Sequence, residues 1–113
     1  MFKRPDPVRL RQQRGSVLTV LYLAAVAEAA NPDDPDRIGR NVLVMTLEQA
    51  GELPGNEELR NALRYLEGKG AVKVEWRHDG TGEFDAVRIL TLGKDLAEGT
   101  VTDPGVQFAR RRG

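Results

Sequence analysis

The spacing of apolar residues changes period once, abruptly, just past the middle of the chain. From Asn56 to Gly70, Leu59, Ala62, Leu63 and Leu66 recur three and four positions apart, which places them on one face of a helix. From Val72 onward the period is two, because Val72, Val74 and Trp76 alternate with Lys73, Glu75 and Arg77 as in a half-buried strand. Gly68 and Gly70 stand at the change, where a helix needs residues that accept a left-handed turn. His78-Asp79-Gly80-Thr81-Gly82-Glu83 then has turn chemistry, and Phe84 to Leu90 reads as a returning strand with Val87 and Ile89 on one face. A helix stripe and a strand face that must share one core confine the chain to an α+β arrangement.

Upstream, Pro5 and Pro7 discourage helix before Val8, and Asp6 is placed to cap a first helix with Pro7 at its first position. That helix is expected to run through Leu10, Val17, Leu21 and Ala24 to about Ala30, with Gly15 a weak point. Asn31 to Asp36, rich in proline and aspartate, reads as a loop. Leu43, Leu47 and Ala50 mark a short second helix that Gly51 stops, and Glu52 to Gly55 is a tight connection. Asn56 is expected to cap the third helix, whose first turn carries Glu57 and Glu58. Thr91 is expected to cap a last short helix from Leu92 to Glu98, ended by Gly99.

Val17 to Ala27 is an unbroken apolar run behind a basic segment, the outline of an export signal. It is about half the roughly 20 residues that span a bilayer, so no membrane segment is expected. Asp6 and the two prolines in the leading segment argue against export. The run is read as a helix buried in a small core or in a dimer interface. With no cysteine in the chain, disulfides, thiolate zinc sites and cysteine nucleophiles are excluded, and a reducing, cytoplasmic location is expected.

Helix, tight turn, second helix ending in glycine and then a two-stranded hairpin is the order of a winged helix-turn-helix. LEQAGELPGNEELRNALRYLEGKGAVKVEW resembles the core of that superfamily, above all in LRYLEGKGAVKV. The expectation is a three-helix core, a two-stranded wing and a short C-terminal helix. Residues 8–99 would form this domain, 1–7 a basic N-terminal arm and 100–113 a basic C-terminal tail. A narrower likeness lies in ILTLGKDLAEGTVTDPGV. It resembles the closing pattern of small winged-helix proteins of Mu-like phages and prophages, a family with no assigned biochemical role. The matching positions are Thr91, Glu98-Gly99 and Pro104-Gly105-Val106, with Gly93 one position earlier than that pattern has it. The resemblance implies a phage or prophage regulatory factor.

The fold resemblance directs attention to double-stranded DNA. The exposed face of the third helix would offer Asn56, Arg60, Asn61 and Arg64, and arginine matches guanine as asparagine matches adenine. The wing would add Lys73, Arg77 and His78. Seventeen positive charges balance seventeen negative ones, but five of the former lie within the first 14 residues and three close the chain. Lys3, Arg4, Arg9, Arg11, Arg110, Arg111 and Arg112 are therefore candidates for nonspecific phosphate contacts from flexible arms.

The same residues admit a plainer reading. Arg60 and Arg64 can pair with Glu57 and Glu67 on a solvated helix face, terminal arginines can be merely solvating, and Glu57 and Glu58 would oppose phosphates. The alternative function is a protein-interaction or dimerisation module, with a homodimer through the first helix or a phage or host protein as partner. Tyr65 and Trp76 are possible interface anchors, although Trp76 is expected in the core. No enzyme is expected, because His78, the lone histidine, sits in a turn with no serine or cysteine nearby in sequence. For the same reason no metal site and no cofactor are expected.

Overall fold

The computed structural model describes residues 6–28 and 31–109. Within them the elements follow as α1 (Pro7–Val26), β1 (Arg37–Gly39), α2 (Arg40–Gln49), α3 (Asn56–Gly68), β2 (Val72–Trp76), β3 (Phe84–Ile89) and α4 (Thr91–Glu98). The three strands form one antiparallel sheet in the order β1-β3-β2, so β3 is central. Val72 faces Ile89 and Val74 faces Val87, and a bulge between Glu75 and Trp76 brings Trp76 opposite Phe84.

α1 starts where its cap dictates: the Asp6 carboxylate accepts the Val8 N–H at 3.0 Å, with Pro7 in the first turn. Val17, Leu18 and Leu21 are fully buried. The helix packs on α2, α3, α4 and β3, so its apolar run is the centre of this chain's own core. It ends at Val26, short of the expected Ala30, and Glu28 takes a left-handed φ of 53° that glycine would occupy at less cost. Among the described residues no helix is long and apolar enough to cross a membrane. α3 contributes Leu59, Ala62, Leu63 and Leu66 to the core, the four residues its spacing marked. Gly51, Gly70 and Gly99, with φ of 71°, 80° and 80°, turn the chain after α2, α3 and α4.

Several local expectations are corrected. Gly55, not Asn56, precedes the first turn of α3, because the Glu58 carboxylate reaches back to the Gly55 N–H at 3.3 Å and does the capping from inside the helix. Leu90 is the cap residue of α4, and Thr91 is already helical. Ala50 is exposed at the end of α2, leaving Leu43 and Leu47 as its buried positions. The Asn31–Asp36 loop leads into β1, a strand too short to show a period. Around it, the Asp34 carboxylate grips the Arg88 guanidinium of β3 through two bonds of 2.8 and 2.6 Å, and Asp36 pairs with Lys94 of α4 at 2.9 Å.

Two groups of residues expected in the arms or the tail lie against the core. Arg9 and Arg11 lie on α1 rather than on a flexible arm. Residues 103–108, expected as tail, pack against the domain, with Val106 buried at 9% exposure.

Candidate functional site

The outward face of α3 carries Asn56, Glu57, Asn61 and Arg64 exposed to solvent and Arg60 half-buried. Neither arginine pairs as helix spacing suggested. Arg60 crosses to Glu83 in the hairpin turn at 3.5 Å. Arg64 donates to the Asn61 side-chain oxygen at 3.2 Å and lays its guanidinium over the Trp76 ring, 5.1 Å from the centroid. Such cation–π stacking fixes the plane of a guanidinium without neutralising it. Glu67, the other expected partner, is spent on the hairpin instead: its carboxylate accepts the Val74 N–H at 2.8 Å and the Trp76 Nε1–H at 2.9 Å. Trp76 is half-buried, packed edge-on against Phe84 with ring centroids 6.1 Å apart.

The hairpin is less basic than its residue types imply. Arg77 is paired with Asp85 at 2.8 Å. Arg37 of β1 reaches over the sheet to Glu75 through bonds of 2.6 and 2.9 Å, and this contact holds the Glu75 carboxyl below its usual range. At the tip, Asp79 accepts from the Thr81 hydroxyl at 2.6 Å, and that bond, joined by the Thr81 backbone N–H, lowers the Asp79 pKa. Lys73 and His78 are exposed. Among the described residues no group of three or more His, Asp or Glu side chains is arranged to hold a metal ion.

Glu57 and Glu58, which stood together as an objection to DNA on α3, part company. Glu57 is exposed. Glu58 turns back to α1, where it accepts from Gln13 Nε2 at 3.1 Å and pairs with Arg9 at 3.3 Å. The Gln13 bond, then the Gly55 N–H and lastly the Arg9 charge draw its pKa down.

At the opposite side of α1, the strap of residues 103–108 is clasped by Arg14 and Asp103, which the sequence did not mark, together with Gly15 and Tyr65. Asp103 accepts the Tyr65 hydroxyl at 3.0 Å and the Gly105 N–H at 2.7 Å. These bonds, the Gly105 one first, set against the cost of burial, hold its carboxyl below the usual aspartate range. Burial, and then the Asp103 contact, push the Tyr65 hydroxyl up. Arg14 lies 3.7 Å above the Tyr65 ring and donates to the Gly105 carbonyl at 3.0 Å. The Gln107 N–H donates to the Arg11 carbonyl at 3.0 Å. Two glycines permit the crossing: a Cβ at Gly15 would collide with the Gln107 carbonyl, and one at Gly105 with the Tyr65 hydroxyl. Gly15, a weak point by helix propensity, is thus where backbone passes over backbone. Tyr65 is thereby engaged within its own chain. Nothing in the sequence spacing said where Asp103-Pro104-Gly105, expected as tail, would dock.

Of the expected phosphate contacts, Arg9 and Arg11 are described and lie at this end of α1, while Lys3, Arg4, Arg110, Arg111 and Arg112 fall outside the described residues. A cleft of about 520 Å³ opens here, lined by Arg9, Gln13 and Ser16 of α1, Leu53 and Pro54 of the α2–α3 connection, and Phe108.

The described residues define an α+β domain of four helices and a three-stranded antiparallel sheet, with its candidate cations divided between the α3–hairpin face and the end of α1. No family model matches the chain, and no curated protein does. Among solved structures it is similar to the circadian clock associated protein Pex from anabaena. The identity is 17% over 78% of this chain and 72% of that one, with a TM-score of 0.48, a likeness too slight to carry a partner or a role across.

Proposed function

We propose that this chain is a winged-helix protein of regulatory type that binds double-stranded DNA, with α3 as the helix that enters the major groove and β2–β3 as the wing. One observation carries the reading: Asn61 and Arg64 lie side by side on the outer face of α3, and Arg64 is oriented by Trp76 rather than consumed by a carboxylate. A guanidinium held in plane beside a carboxamide is the pair that reads guanine next to adenine, and each good bidentate contact discriminates by about 1–3 kcal/mol. The turning of Glu58 toward α1 supports the same reading, since it withdraws one carboxylate from the groove side. We assign no catalytic role. The likeness of the closing segment to the Mu-like phage proteins makes a phage or prophage regulator the setting we favour.

The test is fluorescence anisotropy against mixed duplexes at several salt concentrations. Arg64→Ala and Asn61→Ala are expected to flatten the preference among sequences, while Arg60→Ala, whose charge is already matched by Glu83, changes affinity less. No binding at low salt overturns the proposal. A second reading, a protein-interaction module, is favoured by the pairs Arg77–Asp85 and Arg88–Asp34, which match both arginines of the β2–β3 hairpin. A homodimer through α1 would have to rest on Val8, Leu23 and Val26, exposed at 45%, 53% and 63%. Sizing at high concentration tests it, and a strictly monomeric species rejects it.

A further inference from the structure

Arg64 and Glu67 stand three positions apart on α3, a spacing at which an arginine and a glutamate ordinarily pair. Here the carboxylate is taken by the hairpin instead, with both of its oxygens in use. One accepts the Val74 N–H at 2.8 Å and the other the Trp76 indole N–H at 2.9 Å. The indole so held presents its face to the Arg64 guanidinium, 5.1 Å from the ring centroid, while Phe84 packs edge-on against it at 6.1 Å and 75°. A route of contacts thus leaves α3 at Glu67, passes through Trp76 and returns to α3 at Arg64. The hairpin turn flanks the same guanidinium. A Cβ built at Gly82 would stand 3.8 Å from Arg64 Nη2, and the Arg60–Glu83 pair ties that turn to α3 at 3.5 Å. Arg64 itself is exposed, so it is held in place without being covered.

We infer that Glu67 and Trp76 are positioning residues for sequence readout, and that the hairpin serves α3 as a buttress for Arg64 rather than as a probe of its own. The inference rests on the DNA-binding reading and deepens it by naming what sets the geometry of the reading side chain. An arginine free to rotate loses conformational freedom when it is fixed on a base. One already stacked loses less, and the advantage falls to the base edge that suits its plane. Bidentate recognition of guanine O6 and N7 depends on that plane, whereas attraction to phosphates depends chiefly on charge. The diversion of Glu67 adds a second effect, since a carboxylate that paired with Arg64 at this spacing would mask its charge. Arg77, beside the turn, is matched by Asp85 at 2.8 Å, which suits a support better than a phosphate contact.

The test reads preference and salt dependence separately, on the whole chain. A duplex that the chain selects from a random pool, and the same duplex with each guanine replaced in turn, are titrated by fluorescence anisotropy. Trp76→Leu is expected to lower the largest guanine preference about tenfold, within the roughly 5- to 150-fold that a bidentate contact supplies. The slope of log affinity against log salt stays as in the parent, because no phosphate contact is removed. Glu67→Gln keeps the shape of the side chain and one of its two acceptors, and lowers the preference about threefold. It is the decisive variant if Trp76→Leu fails to fold. In an Arg64→Ala background neither substitution lowers the preference further, because both act through Arg64, whereas a merely structural role would weaken binding in both backgrounds alike. If the chain binds no duplex at low salt, the DNA reading falls and this inference with it. If it binds without preference, or if the two variants keep the parent's preference or lower it equally with and without Arg64, the positioning role is refuted and DNA binding stands.

Discussion

The hairpin and the strap are both appendages clamped to the core by one carboxylate, yet they treat charge in opposite ways. Glu67 fixes the hairpin through Val74 and Trp76, and the hairpin arginines, Arg77 and Arg88, are matched by Asp85 and Asp34. Asp103 fixes the strap through Tyr65 and Gly105, and the arginine beside it, Arg14, is held by the Tyr65 ring and the Gly105 carbonyl instead of by a carboxylate. A chain of zero net charge can thus hold one region whose arginines are matched by carboxylates and another where a guanidinium is held by a ring and a carbonyl, with its charge left in place. Net charge conceals this, and pairing at the level of single side chains displays it.

The sharpest way to break the comparison is Gly15→Val. Its side chain overlaps the Gln107 carbonyl, so the strap must lift and release Val106, at a cost of about 2–3 kcal/mol in urea unfolding. Stability within about 0.5 kcal/mol of the parent would mean that the strap is not anchored as described.

Glu67→Ala comes next, at about 2 kcal/mol, since it strands two part-buried donors, a backbone N–H and the indole N–H. Tryptophan fluorescence should report the loosened hairpin directly, and an emission spectrum identical to the parent's would contradict the clamp.

Asp103→Ala is expected to cost about 1 kcal/mol, because the Tyr65 hydroxyl and Gly105 N–H it deserts can turn to water. The same contact predicts a pH response of definite sign. The folded pKa of Asp103 is depressed, so its contribution is full above the ordinary aspartate value and is lost only as the pH falls through the lower folded value. The Gly105 amide resonance should therefore titrate with a midpoint below the usual aspartate range. A midpoint at or above that range excludes the contact.

The smallest effect belongs to Arg60 and Glu83. Their double-mutant cycle should return about 0.5 kcal/mol, as for other pairs near a surface. A coupling above about 2 kcal/mol would mean that the hairpin depends on its ion pairs for shape.

The fold was legible wherever one local period ran long enough. α3, β2 and β3 announced themselves through alternation of burial, and the start of α1 through Asp6 and Pro7. β1 was hidden because three residues cannot show a period and its partner, β3, lies far along the chain. The strap was hidden for a related reason: its anchors, Gly15, Arg14, Tyr65 and Asp103, come from three separate segments that only the tertiary fold joins. The arginines of the candidate site could be counted from sequence but not their partners. Arg60 takes Glu83 of the hairpin turn as its partner, and Arg64 bonds Asn61 within the helix while stacking on Trp76, because Glu83 and Trp76 face them.

The hold of Glu67 on Val74 bears on more than the hairpin's attachment. β2 lies at the margin of the sheet, and an outer strand with unclaimed amide groups invites a stranger's strand to extend the ladder. By occupying the Val74 N–H, Glu67 withholds one rung from any such recruit, and Lys73 and Glu75 fringe the same strand with charge. Losing that carboxylate would return the Val74 amide to the set a foreign strand can use.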